Sequence, residues 1–468
     1  MKRNLVITIA IAAFMLASEV AWAADVSFSG QFRPRFVIDE DTTDNVTNTT
    51  AKVFDTRVRL NANANVNANT SVFLQFQSVG NWGQDGSGVT HNGTRVSQGG
   101  AGEQASDNLS DVGFHQAFVT LKNFGGYGFD AKIGRQEVVL DGHRLYGHTG
   151  WTTGAETKDA IRLTHSGGNH TINAIYIAGR NEQAIDTDDS RDENQLVFHA
   201  NTAGVLGGSL SGYFVYTHDT SSTVELDDGM DWFTVGARQA GKLGALDYRV
   251  EYYHQFGDGQ VPANALTGQA AALTDSSDVD RDAHLLGVRV GKTFTNVAMK
   301  PTITLWYDRL SGTDDDDIAD SEHGTFDTLS DTGHKFYGFM DFYLNSQHQG
   351  TQGLGLQDIA IKTKMSPAAG WTLKADMHWF HTAVDPGGSD ADTFINNNTV
   401  FNDGTTPDGD LGSELDLTLV HKLDANTKLV MGYSHYWTSV SFGAANSGNL
   451  QGNNDDADWM YVMADTKF

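Results

Sequence analysis

Polar and apolar residues alternate along many short segments of this chain. In the clearest one, Phe54 to Asn69, the even positions are mostly apolar, whereas the odd positions, among them Arg57 and Arg59, are polar or charged. A period of two is the repeat of a β-strand that has one wet and one apolar face. The segments Leu246–Tyr252 and Trp371–Trp379 alternate in the same way. The pattern predicts an all-β protein, although a soluble sandwich would show it too.

The connections between these segments favour a barrel. Bacterial outer-membrane barrels alternate short periplasmic turns with longer extracellular loops. Eight short turns and nine long polar loops alternate along this chain. They predict a transmembrane antiparallel up-and-down β-barrel of about 18 strands, with 16 as the alternative count and both termini on the periplasmic side. The short turns lie near Asn65–Thr70, Phe124–Tyr127, Ser166–Asn169, Thr202–Gly207, Gly241–Gly244, Thr293–Val297, Ser366–Gly370 and Leu423–Asn426, and the long loops near Asp39–Thr50, Gly83–Asp111, Leu140–Thr157, Asn181–Asp192, His218–Met230, Gly257–Asp280, Ser311–Gly353, Thr382–Asp410 and Ser439–Ala457.

One segment, His334–Leu344, does not fit this count. Its sequence HKFYGFMDFYL has the composition of a strand. Counting it as one crossing would place the long stretch Thr382–Asp410 on the side of the short turns. We therefore predict that it lies in a folded outer loop.

The N-terminus has the three zones of a secretory signal peptide. A positively charged start precedes the short apolar run Leu5–Ala17, and Ala21–Ala23 supplies small residues for cleavage. The run is far shorter than the roughly 20 apolar residues that a spanning helix needs. We predict a cleaved signal peptide at residues 1–23 and a single outer-membrane barrel domain at residues 24–468.

The C-terminus is an aromatic residue, Phe468, on the alternating segment Trp459–Phe468. Such an end is typical of outer-membrane barrels, and we expect Phe468 to be the signal that the barrel-assembly machinery reads. The sequence contains no Cys, so closure of the sheet, rather than disulfide bonds, has to stabilise this exported chain.

Charge is distributed unevenly. The formal net charge of −28 excludes an overall basic surface for nucleic acid. Acidic runs such as Asp186–Asp192 and Asp314–Asp317 lie in loops, whereas arginine and lysine concentrate in the strand-like segments. Asp314–Asp317 could collect divalent cations, but a solvated acidic loop is favoured because the ligand spacing of a calcium loop is absent. We predict neither a metal nor a cofactor.

Three stretches resemble the alginate export porin family in their order and spacing. The resemblance covers most of the chain after the signal peptide and implies an 18-stranded barrel whose electropositive lumen passes an acidic polysaccharide outward. Relatives without a known alginate pathway make it a weak guide to the cargo. The stretches are Gly134–Glu137 with Asp141–Leu145, Trp151 and Asp159–Leu163, then His334–Asp341 with Gly353–Asp358, and finally Gly412–Leu417 with Gly432–His435.

Arginine and lysine inside strands are expected to point into the lumen, because on the lipid face they cost roughly 2–4 kcal/mol at the bilayer midplane. Arg33 and Arg35 on one strand, and Arg57 and Arg59 on the next, would form a four-arginine patch. The further candidates for the lumen wall are Arg135, Arg144, Arg162, Arg238, Arg249, Arg289, Lys362, Lys364 and Lys374.

These cations allow two interpretations, which both stay open. A ring of arginine and lysine selects anions, because guanidinium binds carboxylate or phosphate through two hydrogen bonds. Alternatively, the cations pair with carboxylates of the lumen wall and serve structure alone. The carboxylate candidates are Asp55, Glu137, Asp247, Glu251, Glu414 and Asp416.

The turn Asp141-Gly142-His143-Arg144 leaves the predicted fifth strand and enters a long loop. This loop could fold into the pore and narrow it. A plain tight Asp-Gly turn is slightly favoured.

The sequence therefore predicts a passive channel in the outer membrane of a Gram-negative bacterium. Its cargo would be anionic solutes, including an acidic polysaccharide such as alginate, and its other partners outer-membrane lipid, lipopolysaccharide and the barrel-assembly machinery. The alternative is a structural or adhesion barrel whose lumen is plugged by loops and whose outer loops act. No nucleophile, zinc or phosphate-loop motif favours an enzyme.

Overall fold

The computed structural model describes residues 25–40, 50–82, 112–179, 193–219, 230–259, 279–314, 316–317, 320–343, 351, 353–384, 409–439 and 456–468. The predicted signal peptide and the run Asp186–Asp192 lie outside the described residues.

All described strands belong to one sheet. In chain order they are β1 (Asp25–Glu40), β2 (Ala51–Asn67), β3 (Thr70–Asn81), β4 (Gly113–Leu121), β5 (Asp130–Gln136), β6 (Lys158–Gly167), β7 (His170–Ala178), β8 (Glu193–Val205), β9 (Gly208–Asp219), β10 (Met230–Leu243), β11 (Leu246–Asp258), β12 (Asp280–Thr293), β13 (Thr302–Leu310), β14 (Glu322–His323), β15 (Leu356–Met365), β16 (Trp371–His381), β17 (Asp410–Lys422), β18 (Thr427–Thr438) and β19 (Ala457–Lys467).

The sheet closes on itself because β1 pairs with both β2 and β19. Strand β14 is a two-residue segment that runs parallel to β12 at the barrel's edge, and β13 pairs directly with β15. The remaining strands form a closed antiparallel ring of 18. Because the sheet is closed, the backbone N–H and C=O groups of every strand can form hydrogen bonds with neighbouring strands. A strand in lipid needs such partners, since no water is available there. The predicted barrel and its count of about 18 strands, rather than 16, are confirmed.

The connections also fall where the sequence placed them. Each predicted short turn joins two neighbouring strands at one end of the barrel, and each predicted long loop joins strands at the other end. The described helical segments are short: the 3-10 turns Phe124–Gly126 and Gly333–Lys335, and residues 316–317. Within the described residues, we find no helix with the length and apolar character required to span a membrane.

The period of two separates the two faces of the wall. In β1 the side chains of Phe28, Phe32 and Phe36 are exposed on the outside, whereas Arg33 and Arg35 on the other parity are buried inside. The same division holds around the ring, where outward positions carry exposed aliphatic and aromatic side chains. This is the lipid-facing band expected of an outer-membrane barrel.

Two of the long connections fold into the barrel. The first inward loop, residues 137–157, and the second inward loop, the described residues of 311–355, both carry fully buried side chains such as Tyr146 and Phe336. They join each other through backbone hydrogen bonds, Gly147 N to Ser330 O at 2.7 Å and Thr332 N to His143 O at 3.1 Å. The described part of His334–Leu344 contains no strand and lies in a loop, as predicted, but this loop folds into the barrel.

The first strand and the last residue meet on the outer face. Gly30 and Phe468 exchange backbone hydrogen bonds of 2.6 and 3.1 Å. A Cβ atom on Gly30 would lie 2.4 Å from the Phe468 ring and 2.8 Å from the carbonyl oxygen of Arg59. Glycine at this position therefore makes room for the terminal aromatic ring at the seam.

Replacing Gly30 by leucine should weaken the seam, because overpacking of this kind costs roughly 1–3 kcal/mol. We expect the temperature of the heat-induced mobility shift on gels to fall for Gly30→Leu. Gly113→Leu is the matched control, since nothing lies within 4 Å of its Cβ position. Equal shifts for both variants would contradict this account of the seam.

Candidate functional site

The predicted four-arginine patch exists on the inner wall of β1 and β2. Arg33 lies directly opposite Arg57 in the strand register, and Arg35 lies opposite Asp55. All four arginines are buried. Like charges this close on one wall repel each other, so the buried guanidinium groups need hydrogen-bond acceptors.

Most of these acceptors are backbone carbonyls of the first inward loop. Arg33 donates to Gly150 O at 2.8 Å and to Thr152 O at 3.1 Å, and Arg57 donates to the same two oxygens at 3.2 and 3.1 Å. Among the described residues, neither Arg33 nor Arg57 forms an ion pair with a carboxylate. These two arginines therefore hold the loop while keeping their charge uncompensated.

Arg35 and Arg59 combine the loop contact with a carboxylate. Arg35 pairs with Asp55 at 2.8 Å and lies over the Trp151 ring at 4.5 Å. Arg59 lies 3.6 Å from Glu137 and 2.9 Å from the His115 ring. Of the four arginines, Arg35 and Arg59 therefore contact a carboxylate, whereas Arg33 and Arg57 bind backbone carbonyls.

A second cluster of arginines faces this patch across the ring. Arg238, Arg249 and Arg289 lie on β10, β11 and β12, half of the ring away from β1 and β2. Arg289 binds Glu251 at 3.1 Å and Asp308 at 2.8 Å. This wall is therefore cationic as well, and its carboxylates are shared.

Arg144 brings the first inward loop to this second cluster. It is fully enclosed and binds Glu251 at 3.1 Å, Asp308 at 2.8 Å and the Tyr337 hydroxyl at 2.6 Å. The Asp141–Arg144 turn thus leads into the lumen, contrary to the slightly favoured expectation of a plain tight turn. The loop spans the barrel from β10–β13 at Arg144 to β1–β2 at Gly150–Gly154.

Cations outnumber carboxylates in the second cluster. Arg249 Nη1 and Arg238 Nε approach the face of Gly142, at 3.0 and 3.6 Å from where its Cβ would be. Lys335 Nζ donates to Gly142 O at 2.9 Å. With Arg144 and Arg289, five cations converge here, and the carboxylates in ion-pair contact with them are Glu251 and Asp308.

The crowding of positive charge changes the titration of Lys335 in the second inward loop. Burial, followed by the nearby Arg249 and Arg144, lowers the pKa of Lys335 to about 8. The lysine is therefore charged at neutral pH and loses its proton in mildly alkaline solution. Burial and Lys335 itself lower the pKa of His143 to about 4, so this imidazole is neutral at pH 7.

The third set of candidates lies on β15, β16 and β17. Lys362 pairs with Asp376 at 3.4 Å, and Lys364 lies opposite Lys374 in the register. Glu414 accepts hydrogen bonds from the backbone of Phe339 at 2.6 Å and Met340 at 2.8 Å, and so holds the second inward loop. Asp416 accepts a hydrogen bond from Ser434 at 2.5 Å.

Two strand arginines differ from the rest. Arg162 faces the lumen and donates to Asn173 at 2.9 and 3.0 Å. Arg135 faces outward, which corrects the expectation that it lines the pore. Arg135 lies on the same face of β5 as Ile133, next to the last residue of the strand, Gln136. There Arg135 pairs with Asp159 at 2.7 Å. At a strand end the cost of an outward charge is small, roughly 0–1 kcal/mol.

Several residues that build these clusters could not be identified from the sequence. Asp308 faces inward on β13, where it is the single charged residue among the inward positions. Lys335 and Tyr337 lie in a loop, and no sequence pattern predicts where that loop lies. In the Asp314–Asp317 run, the backbone N–H of each end residue donates to the carboxylate of the other. In the described part of the chain, no three His, Asp or Glu side chains are grouped as metal ligands would be.

Comparison with known proteins agrees with this architecture. Residues 24–451 match the model of a family described as alginate export. The chain belongs to this family. No match was found among curated proteins.

Solved structures of porins share the fold at low identity. The outer membrane protein OprD of Pseudomonas aeruginosa has a TM-score of 0.56 and 13% identity, over 95% of this chain and 94% of that one. OpdL of the same organism has 0.56 and 12%, over 95% and 99%. OpdK of the same organism, determined with vanillate, has 0.55 and 9%, over 95% and 98%. The family and this fold support an outer-membrane channel.

Arg144→Met should loosen the first inward loop, because it leaves Glu251 and Asp308 with fewer buried partners. Breaking a buried ion pair costs roughly 3–5 kcal/mol, and since Arg289 stays bound we expect a smaller loss. Hydrogen exchange of residues 137–157, followed by mass spectrometry, should accelerate by about tenfold or more.

Lys158→Met is the control for this change. It removes the ion pair with Glu156 at the end of the same loop, and a partly exposed pair contributes only about 0–1 kcal/mol. Unchanged exchange in Arg144→Met would show that Arg144 does not hold the loop.

Proposed function

We propose that the protein is a channel in the outer membrane of a Gram-negative bacterium through which anionic solutes diffuse passively. Acidic polysaccharides such as alginate, or their fragments, belong to this class of cargo. Family membership and the closed barrel support the channel. The charge of the lumen wall supports the anion preference.

The observation that carries the proposal is the pair of cationic clusters that face each other across the lumen. Arg33 and Arg57 on one side, and Arg238, Arg249 and Lys335 on the other, exceed the carboxylates around them. In the low dielectric of a protein-lined pore, uncompensated cations attract anions and repel cations more strongly than in water. The inward loop between the clusters narrows the path, so a solute passes close to these charges.

A carboxylate cargo has a precedent in the fold. The similar structure of OpdK was determined with vanillate, which is an aromatic carboxylate. At 9% identity the structural similarity does not indicate which residues of this chain would bind a carboxylate. We assign that role to its lumen arginines. Guanidinium groups bind carboxylates in a bidentate way.

The inward loops also favour the alternative of a plugged barrel. Their buried side chains and mutual hydrogen bonds fill part of the lumen. The described part of Ser311–Gly353, however, lies largely inside the barrel, so it is poorly placed to act as an adhesive outer loop. A plugged barrel would pass almost no current in a planar bilayer, which separates the two proposals.

Removing charge from the first patch should lower anion selectivity. In planar bilayers under a salt gradient, we expect the chloride-to-potassium permeability ratio of Arg57→Ala/Arg59→Ala to fall by roughly twofold or more. Arg57→Lys/Arg59→Lys keeps the charges but loses the planar donors, so it should retain selectivity. Arg135→Ala is the matched control, because Arg135 faces outward.

Clear cation selectivity of the wild-type channel would overturn the anion preference. Equal permeability ratios for the wild type and Arg57→Ala/Arg59→Ala would remove this patch from the mechanism. A loss of selectivity in the lysine variant as well would show that loop anchoring, rather than charge, decides the effect.

Anion selectivity should also decline as the pH rises from 7 to 9. The pKa of Lys335 is lowered to about 8 by burial and nearby arginines, so this side chain is positive below that pH and neutral above it. Lys335→Met should be less selective at pH 7 and should lack this pH dependence. An unchanged pH profile in Lys335→Met would assign the titration to another group.

A further inference from the structure

Two polar side chains interrupt the apolar outer face of the barrel near its extracellular edge. Arg309, next to the last residue of β13, has the same parity as the exposed Leu305 and therefore faces outward. Its Nη1 atom lies 2.6 Å from Nε2 of His284, which faces outward on β12. Both side chains are partly exposed. A cation on the lipid side of the wall is costly unless an anion there binds it.

Aromatic side chains of the same face place Arg309 at the level of the lipid headgroups. Tyr307, Trp379 and Trp437 lie in one row of the strand register, all with outward parity. Tyrosine and tryptophan rings on the outside of a barrel mark the boundary between hydrocarbon and water. Arg309 is the next outward position of β13 beyond this row, on the side of the long loop that follows Leu310. It therefore faces the headgroups of the outer leaflet.

The protein does not neutralise the charge of Arg309. Among the described residues, no carboxylate lies within ion-pair distance of its guanidinium, and the nearby outward residue Asp282 contacts His254 at 3.5 Å. The outward arginine at the extracellular end of β5 differs, because Arg135 pairs with Asp159 at 2.7 Å. Two outward arginines in comparable positions thus differ in whether the chain itself supplies an anion.

The contact between Arg309 and His284 groups several hydrogen-bond donors together. Arginine can only donate, so Nε2 of His284 accepts the bond from Arg309. The neutral imidazole then carries its proton on Nδ1, which is a donor beside the guanidinium. In the same row, Gln357 lies opposite Arg309, and His381 lies opposite Gln357. A guanidinium binds phosphate oxygens through two parallel hydrogen bonds.

We propose that Arg309 and His284, with His381 beside them, bind a phosphate group of lipopolysaccharide in the outer leaflet. The lipid part of this molecule, lipid A, carries phosphates on a sugar backbone at the level of the headgroups. Such a phosphate supplies the negative charge and the acceptor oxygens that the chain does not place beside Arg309. The site lies on the outside of the barrel, so it does not depend on the lumen or on the anion preference proposed above.

The test is native mass spectrometry of the full-length protein in detergent, titrated with lipid A that carries two phosphates. We expect the wild type to bind this lipid more tightly than lipid A without phosphates by roughly fivefold or more, because charge-assisted hydrogen bonds are lost. It should also bind lipid A more tightly than phosphatidylglycerol, an anionic phospholipid. These comparisons need no variant, so they hold even if a substitution impairs folding.

Arg309→Gln should weaken the binding of phosphorylated lipid A by roughly fivefold or more, because it removes the charge and the paired donors. Arg135→Gln is the matched control, since that outward arginine already has a carboxylate partner, and it should bind like the wild type. Anion selectivity in bilayers should be unchanged in Arg309→Gln, because this side chain faces away from the lumen.

Two results would overturn the proposal. The first is equal affinity of the wild type for lipid A with and without its phosphates. The second is an Arg309→Gln variant that binds phosphorylated lipid A as tightly as Arg135→Gln does. Equal affinity for phosphatidylglycerol and lipid A would overturn the assignment to lipopolysaccharide, because the site would then accept any anionic headgroup.

Discussion

Closure of the sheet is the constraint on which the rest of the molecule depends. In a closed antiparallel ring every strand has two partners, and the backbone needs no water for its hydrogen bonds. Each strand then has one lipid-facing and one lumen-facing side, and residues opposite each other form horizontal rows on the inner wall. On β1 to β4 the arginine patch spans three neighbouring rows. Asn61, Gln75 and Gln116 lie opposite one another in the next row toward the periplasm, and Phe73 lies opposite Phe118 in the row after that.

Charged side chains inside the ring hold the first inward loop in place. Arg33 and Arg57 bind carbonyl oxygens of the first inward loop. Arg144, in the same loop, binds Glu251 and Asp308 on the opposite wall of the barrel. A neutral backbone carbonyl satisfies a guanidinium without cancelling its charge. The loop is therefore anchored by contacts that place no carboxylate against Arg33 or Arg57.

The sequence predicted the barrel well because its information is local. The period of two determines which residues share a face, and the alternation of turn and loop lengths determines the count and polarity of strands. The prediction that Arg135 lines the pore was wrong because it assumed that every charged strand residue faces inward. At a strand end an outward charge costs little, so this assumption does not hold there. The inward course of residues 137–157 was the less favoured of two expectations, since it depends on arginines that are distant in sequence and on the unforeseen partners Tyr337 and Lys335.

The central claim is that positive charge in the lumen remains available to anions. The most direct measurement is the position of bromide ions, by anomalous diffraction from crystals of the full-length protein soaked in bromide. The account predicts bromide in the lumen beside Arg238, Arg249 and Lys335. It would be contradicted if bromide were absent from the lumen while caesium ions, in a parallel soak, occupied it.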